Sequence, residues 1–173
     1  FNQVPAAFHS QISLEEHHKA GSYSLAKLNL GKIELIYGVI LVLIFTLGGG
    51  IDKIAQLTQF SHYPISSEVG LIIVYSLISS ALGLPLSYYS TFKIEQAFGF
   101  NKMTLGLFIK DLIKGTLLGL IIGVPLLYLV MWLMNSLGAT WWLWVWGVMV
   151  IFNLLILTIY PTFIAPLFNK FTP

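Results

Sequence analysis

An all-α polytopic membrane protein, with four transmembrane helices and an N-terminal cytoplasmic helix, is what this sequence predicts. Three observations carry that expectation. Of 173 residues, 57% are hydrophobic and 9% charged, against roughly a quarter charged in a soluble domain. Mean hydropathy is +0.83. Four apolar runs are each long enough to cross a hydrocarbon core of about 30 Å as a helix.

Residues 1–32 read as a cytoplasmic segment. Ser13 with Glu16 three positions on has the capping-box pattern, so a helix is expected over 12–32. Leu14, Leu25 and Leu28 are partly in phase for one apolar face. The spans follow at about 33–51, 69–89, 115–137 and 141–160, making 33–160 a four-helix transmembrane domain. Glu34 opens the first and Gly48, Gly49 and Gly50 close it. Pro85 and Pro125 fall inside spans and should kink them, with neighbouring groups taking up the freed carbonyls. Residues 161–173 leave the last span as an exit segment.

Lysine sets the orientation. Lys19, Lys27, Lys32, Lys93, Lys102, Lys110, Lys114 and Lys170 fall on one side, and Lys53 alone on the other. The positive-inside rule then places both ends and the 90–114 loop in the cytoplasm. Trp141, Trp142, Trp144 and Trp146 crowd the outer end of the fourth span, with Tyr88, Tyr89 and Tyr160 at inner ends, as an aromatic belt requires.

Several function classes are excluded or weakened. A net charge of +2 is too small to suggest nucleic acid, and there is no Arg for a phosphate clamp. With no Cys there is neither a disulfide framework nor a thiolate metal site. Glu15, Glu16, His17 and His18 are tempting ligands. However, adjacent histidines point about 100° apart on a helix, whereas helical zinc pairs use i, i+4. A solvated helix face is the better reading. Asn153 lies within a span, where an interhelical hydrogen bond or a cavity-lining role is expected. Glu34 is expected to snorkel or to pair with Lys32 or Lys93. No HExxH, nucleotide loop or serine–histidine arrangement occurs. The start at Phe1 predicts a piece of a longer polypeptide or a processed form, and the polar first 32 residues do not read as a signal peptide.

Three ordered stretches add a resemblance: residues 4–34 (VPAAFHSQISLEEHHKAGSYSLAKLNLGKIE), 94–104 (IEQAFGFNKMT) and 159–173 (IYPTFIAPLFNKFTP). Together they resemble the N-terminal membrane portion of the type I CAAX prenyl protease family, integral-membrane zinc metallopeptidases. The resemblance implies one membrane helix before the first stretch and a cytoplasmic metallopeptidase domain after the last. That domain would hold the zinc, with HExxH and a glutamate ligand activating a water against a peptide carbonyl. This chain would then bind no cofactor itself and supply no catalytic residue. Its partners would be the bilayer, the C-terminal metallopeptidase domain, and a peptide or prenylated-protein substrate. Residues 90–104 and 161–173 would form a floor for that domain. Candidate docking or chamber contacts are Glu95, Asn101, Lys102, Asn153 and Asn169. Phe98 and Phe100 would pack the turn around Gly99, and Pro161 and Pro166 would stop the fourth span. The membrane would be a bacterial inner membrane or the endoplasmic reticulum and nuclear envelope. The competing reading is a non-catalytic membrane interaction scaffold without a protease domain.

Overall fold

The computed structural model describes residues 13–59 and 64–168. Its elements are α1 (Leu14–Thr46), α2 (Gly50–Leu57), α3 (Pro64–Tyr89), α4 (Leu105–Ser136), α5 (Trp141–Ile159) and the short α6 (Ala165–Phe168). Two π-helical segments, Ser90–Glu95 and Tyr160–Ile164, prolong α3 and α5. Four helical stretches are long and apolar enough to cross a membrane, as the sequence predicts.

The chain divides into two compact units. The first holds residues up to Leu57 together with Val74–Thr104, and the second Thr58–Ile73 with Leu105 onward. In the first, α1 runs unbroken for 33 residues, about 50 Å at 1.5 Å per residue. The helix expected over 12–32 and the first part of the span expected from residue 33 are therefore one continuous helix. Composition changes there but helix-forming tendency does not, because Lys32, Ile33, Glu34 and Leu35 all tolerate a helix. The capping box at its start forms as predicted. Glu16 N–H donates to Ser13 Oγ at 3.2 Å, and Ser13 N–H donates to Glu16 Oε2 at 2.9 Å. The end comes at Thr46, short of the predicted residue 51, and Gly49 at φ 72° turns the chain into α2.

The expected apolar face of α1 stays outward, with Leu14, Leu25 and Leu28 exposed, while Gly21 and Leu30 are buried. Contacts between α1 and the Val74–Glu95 stretch fall at successive heights. Phe45 meets the Tyr75 ring edge-on at 5.0 Å, and Tyr37 Oη donates to the Leu82 carbonyl at 3.0 Å. Lys27 Nζ donates to Ser90 Oγ at 2.9 Å. As the number on α1 falls, its partner's number rises by a similar step, so the pairing is antiparallel. Leu82 is the neighbour of Ala81, the carbonyl that Pro85 leaves without its i+4 donor. Tyr37 thus brings a hydroxyl to the stretch where the α3 ladder is interrupted.

In the second unit, α4 and α5 are joined by a single 3₁₀ turn, Gly138–Thr140, with Gly138 at φ 53°. Helix α4 starts at Leu105, ten residues before the predicted span. Much of the expected 90–114 loop is therefore helix. Tyr128 Oη and Ser66 Oγ lie 3.2 Å apart, linking α4 to the first turn of α3. All five tryptophans fall within residues 132–146, and Trp142, Trp144 and Trp146 are exposed.

Burial is sparse. The apolar window of α5 has 0% of its residues buried, and Leu, Ile and Val side chains cover the outside of every long helix. In water such a surface would aggregate. In lipid, hydrocarbon solvates it, and all that the bilayer requires is that backbone groups be satisfied within each helix. The chain is an integral membrane protein.

Candidate functional site

Several polar contacts among the described residues gather at the turn from Ser90 to Thr104, in the first unit. Its π-helical segment widens the helix and is followed by a Schellman ending. Phe100 N–H donates to the Glu95 carbonyl at 2.8 Å, and Gly99 N–H to the Gln96 carbonyl at 3.1 Å. Gly99 takes φ 78°, the left-handed conformation this ending requires. A Cβ there would approach nothing nearer than Lys19 Nζ at 3.9 Å, so backbone conformation alone selects glycine. Asn101 N–H shares the Glu95 carbonyl at 3.2 Å. Asn101 Oδ1 accepts from Met103 N–H at 2.6 Å, an Asx turn that leads the chain towards α4.

Side chains of α1 grip this turn. Tyr23 meets Phe98 and Phe100 edge-on, with ring centroids 5.4 and 4.9 Å away. Lys19 Nζ lies 5.6 Å from the Phe100 ring centre. Lys27 Nζ is 3.5 Å from Glu95 Oε1 and bonds Ser90 Oγ as well. The two charged side chains keep 40% and 32% exposure. Water screens them, so the pair orients more than it stabilises, at about 0.2–1 kcal/mol.

Glu95 and Asn101 therefore both have partners within this chain. Lys102 is exposed. Asn153 is exposed on α5, and its amide donates to the Met149 carbonyl at 2.7 Å in the same helix. The hydrogen bond it makes is thus intrahelical, where the sequence suggested one across helices. Asn169 lies outside the described residues, as do His9 and His62. The ion pair on α1 is made by Lys27, not by Glu34, which is exposed. Tyr23 and Lys27 escaped sequence reasoning because their partners lie more than sixty residues away. The nearest signal was a tyrosine and a lysine one helical turn apart.

In the second unit, Lys114 Nζ donates to the Leu167 carbonyl at 2.7 Å and lies 5.9 Å from the Phe168 ring centre. A lysine on α4 thereby caps the last turn of α6. Asp111, one turn earlier on α4, has a buried Oδ1 without a hydrogen-bond partner among the described residues.

Among the described residues no three His, Asp or Glu side chains gather as metal ligands, and the sequence has no Cys. These residues do not fit a zinc centre.

Residues 1–170 match the family model of the CAAX prenyl protease N-terminal region, described as five membrane helices. Four spans are found among the residues described here. The Dictyostelium discoideum CAAX prenyl protease 1 homolog is 35% identical over 99% of this chain and 42% of its own length. Saccharomyces cerevisiae CAAX prenyl protease 1 is 32% identical over 99% of this chain and 40% of its own. A crystal structure of S. mikatae Ste24p superposes with a TM-score of 0.90 at 34% identity, covering 98% of this chain and 41% of that one. The chain thus spans about two fifths of the length of these relatives.

Proposed function

Since this chain belongs to the CAAX prenyl protease family as its N-terminal membrane portion, we propose that it is the transmembrane scaffold of a zinc metalloendopeptidase. The enzyme would cleave peptide bonds of prenylated or other membrane-associated proteins. The observation that carries this reading is the TM-score of 0.90 across 98% of the chain. Zinc and its HExxH ligands would belong to the part of the longer relatives that this chain does not span, since it covers about two fifths of their length.

In this reading the Ser90–Thr104 turn is a docking surface for the metallopeptidase domain, on the cytoplasmic side. Exposed Lys102 and the half-exposed Glu95 and Asn101 would offer the polar contacts. The Schellman ending and the Tyr23 clasp support it by fixing the turn before any partner arrives, which lowers the entropy lost on docking. Asn153, exposed at mid-helix, would face a wet chamber or another helix of the longer protein.

The test is a chimera. This chain replaces the matching region of the S. cerevisiae protease, and membranes are assayed for zinc-dependent cleavage of a farnesylated CAAX peptide. Cleavage is expected. A chimera that inserts and folds but cleaves nothing sinks the proposal. Unchanged assembly and cleavage in Glu95→Ala and Asn101→Ala chimeras would remove the docking role alone.

A further inference from the structure

Helix α4 carries Asp111 and Lys114 three residues apart, ahead of the span predicted from residue 115. Side chains at that spacing share a face of a helix, and an acid one turn before a lysine is the favourable order for an ion pair. Among the described residues that pair is not formed. Lys114 Nζ instead donates to the Leu167 carbonyl at 2.7 Å and lies 5.9 Å from the Phe168 ring centre. Asp111 Oδ1 is buried without a hydrogen-bond partner among the described residues. A carboxylate oxygen shut away from water with no donor is costly. The Leu167 carbonyl has its own need of a donor, because the last four carbonyls of a helix find none within it. One ammonium thus stands between two acceptors and serves only one.

We propose that Lys114 is a two-position latch on α6, with Asp111 as its second anchor. In the latched position, the one observed, the ammonium caps α6. In the released position a rotation of the lysine side chain carries it to Asp111, and the Leu167 carbonyl loses its donor. Helix α6 has four residues, far short of what holds a helix by itself, so it frays when the cap leaves. The latched contact is exposed, and the ammonium changes acceptors without crossing the protein interior. The device governs whether residues 165–168 stay against α4 or swing free after the π-helical turn Tyr160–Ile164. Under the scaffold reading it would set the direction in which the chain leaves the membrane domain.

The full chain is placed in nanodiscs with 4-fluorophenylalanine at position 168, and its fluorine resonance is recorded. Lys114→Gln gives the resonance of released α6. Asp111→Asn keeps the side-chain shape and removes the charge. It should move the wild-type resonance away from the released position, raising the ratio of latched to released form about twofold, the worth of one acid–lysine pair a turn apart. In the Lys114→Gln background Asp111→Asn should change nothing, and in the Lys114→Arg background its effect should return. Unchanged helical circular dichroism checks that each variant folds, with Asp111→Ser and Lys114→Met to replace any that does not. An Asp111→Asn resonance identical to wild type overturns the proposal, as when water alone satisfies the carboxylate. So does an equal shift with and without the lysine, or a Lys114→Gln resonance that coincides with the wild type. No cleavage is measured, so failure here leaves the scaffold reading untouched.

Discussion

Lys27 Nζ stands 3.5 Å from Glu95 Oε1, joining positions 68 residues apart across two helices. Because the same ammonium also bonds Ser90 Oγ, the lysine should matter more than the glutamate. In detergent, Lys27→Met should lower the midpoint of thermal unfolding more than Glu95→Gln does. A double-mutant cycle should give a coupling of about 0.2–1 kcal/mol, as for other exposed pairs. Strict additivity of the two substitutions would show that the pair carries no energy.

Gly99→Ala should destabilise the first unit by about 1 kcal/mol, because its φ of 78° is unfavourable to residues with a Cβ. Gly99→Asn should cost less, since asparagine tolerates that region. Equal effects of the two would imply steric crowding, which the open space around Gly99 argues against. Chemical denaturation followed by circular dichroism separates the two outcomes.

Glu16 lies in the polar first turn of α1. Its carboxyl is held below the usual carboxylate range, first by the Ser13 backbone N–H and then by the Ser13 hydroxyl. A carboxylate with a depressed folded value stabilises the folded form above its unfolded pKa, and this is lost as pH falls through the folded pKa. The first turn should therefore fray on acidification. Amide exchange at residues 16–18, corrected for intrinsic rates, should quicken relative to neutral pH. Glu16→Gln should remove that dependence, and an unchanged pH response in this variant would count against the capping carboxylate as its source.

Tyr37→Phe removes the hydroxyl that donates to the Leu82 carbonyl. Within a membrane such bonds are worth about 0.6 kcal/mol. A small loss of stability is expected, largest near Pro85. Pro85→Ala made first should leave that loss unchanged, because the carbonyl freed by Pro85 is that of Ala81, not the Leu82 carbonyl that Tyr37 bonds.

The proposed orientation is open to direct measurement, since the chain has no Cys. Cysteine placed singly at Lys102 should react with an impermeant maleimide only from the cytoplasmic face, and at Lys53 only from the opposite face. Labelling of both from one side would reverse or abolish the lysine-based topology.

The spans and the capping box were legible because each is local: twenty apolar residues, or S-x-x-E, are visible in a short window. That α1 runs unbroken through residue 32 was not legible, since a change in polarity does not mark where a helix starts or stops. Neither π-helical segment was foreseen, because an i→i+5 ladder leaves no apolar period of its own. For the candidate site, Gly99 with its flanking phenylalanines announced a turn. Its clasp by Tyr23 and Lys27 was invisible, because which helix lies alongside which is a property of the fold. Glu95 and Asn101, which the sequence offers as contacts for a partner domain, also bond within this chain, and those bonds were not legible in the sequence.

The crowding of every tryptophan into residues 132–146 gives the molecule an optical asymmetry. Intrinsic emission comes from the end of α4 and the start of α5, within the second unit. Tryptophan fluorescence, excited selectively at long wavelength, will follow events there and give no direct signal from the Lys27–Glu95 junction. Unfolding curves from emission and from helical circular dichroism therefore need not coincide, and the gap between them would measure how independently the first unit melts.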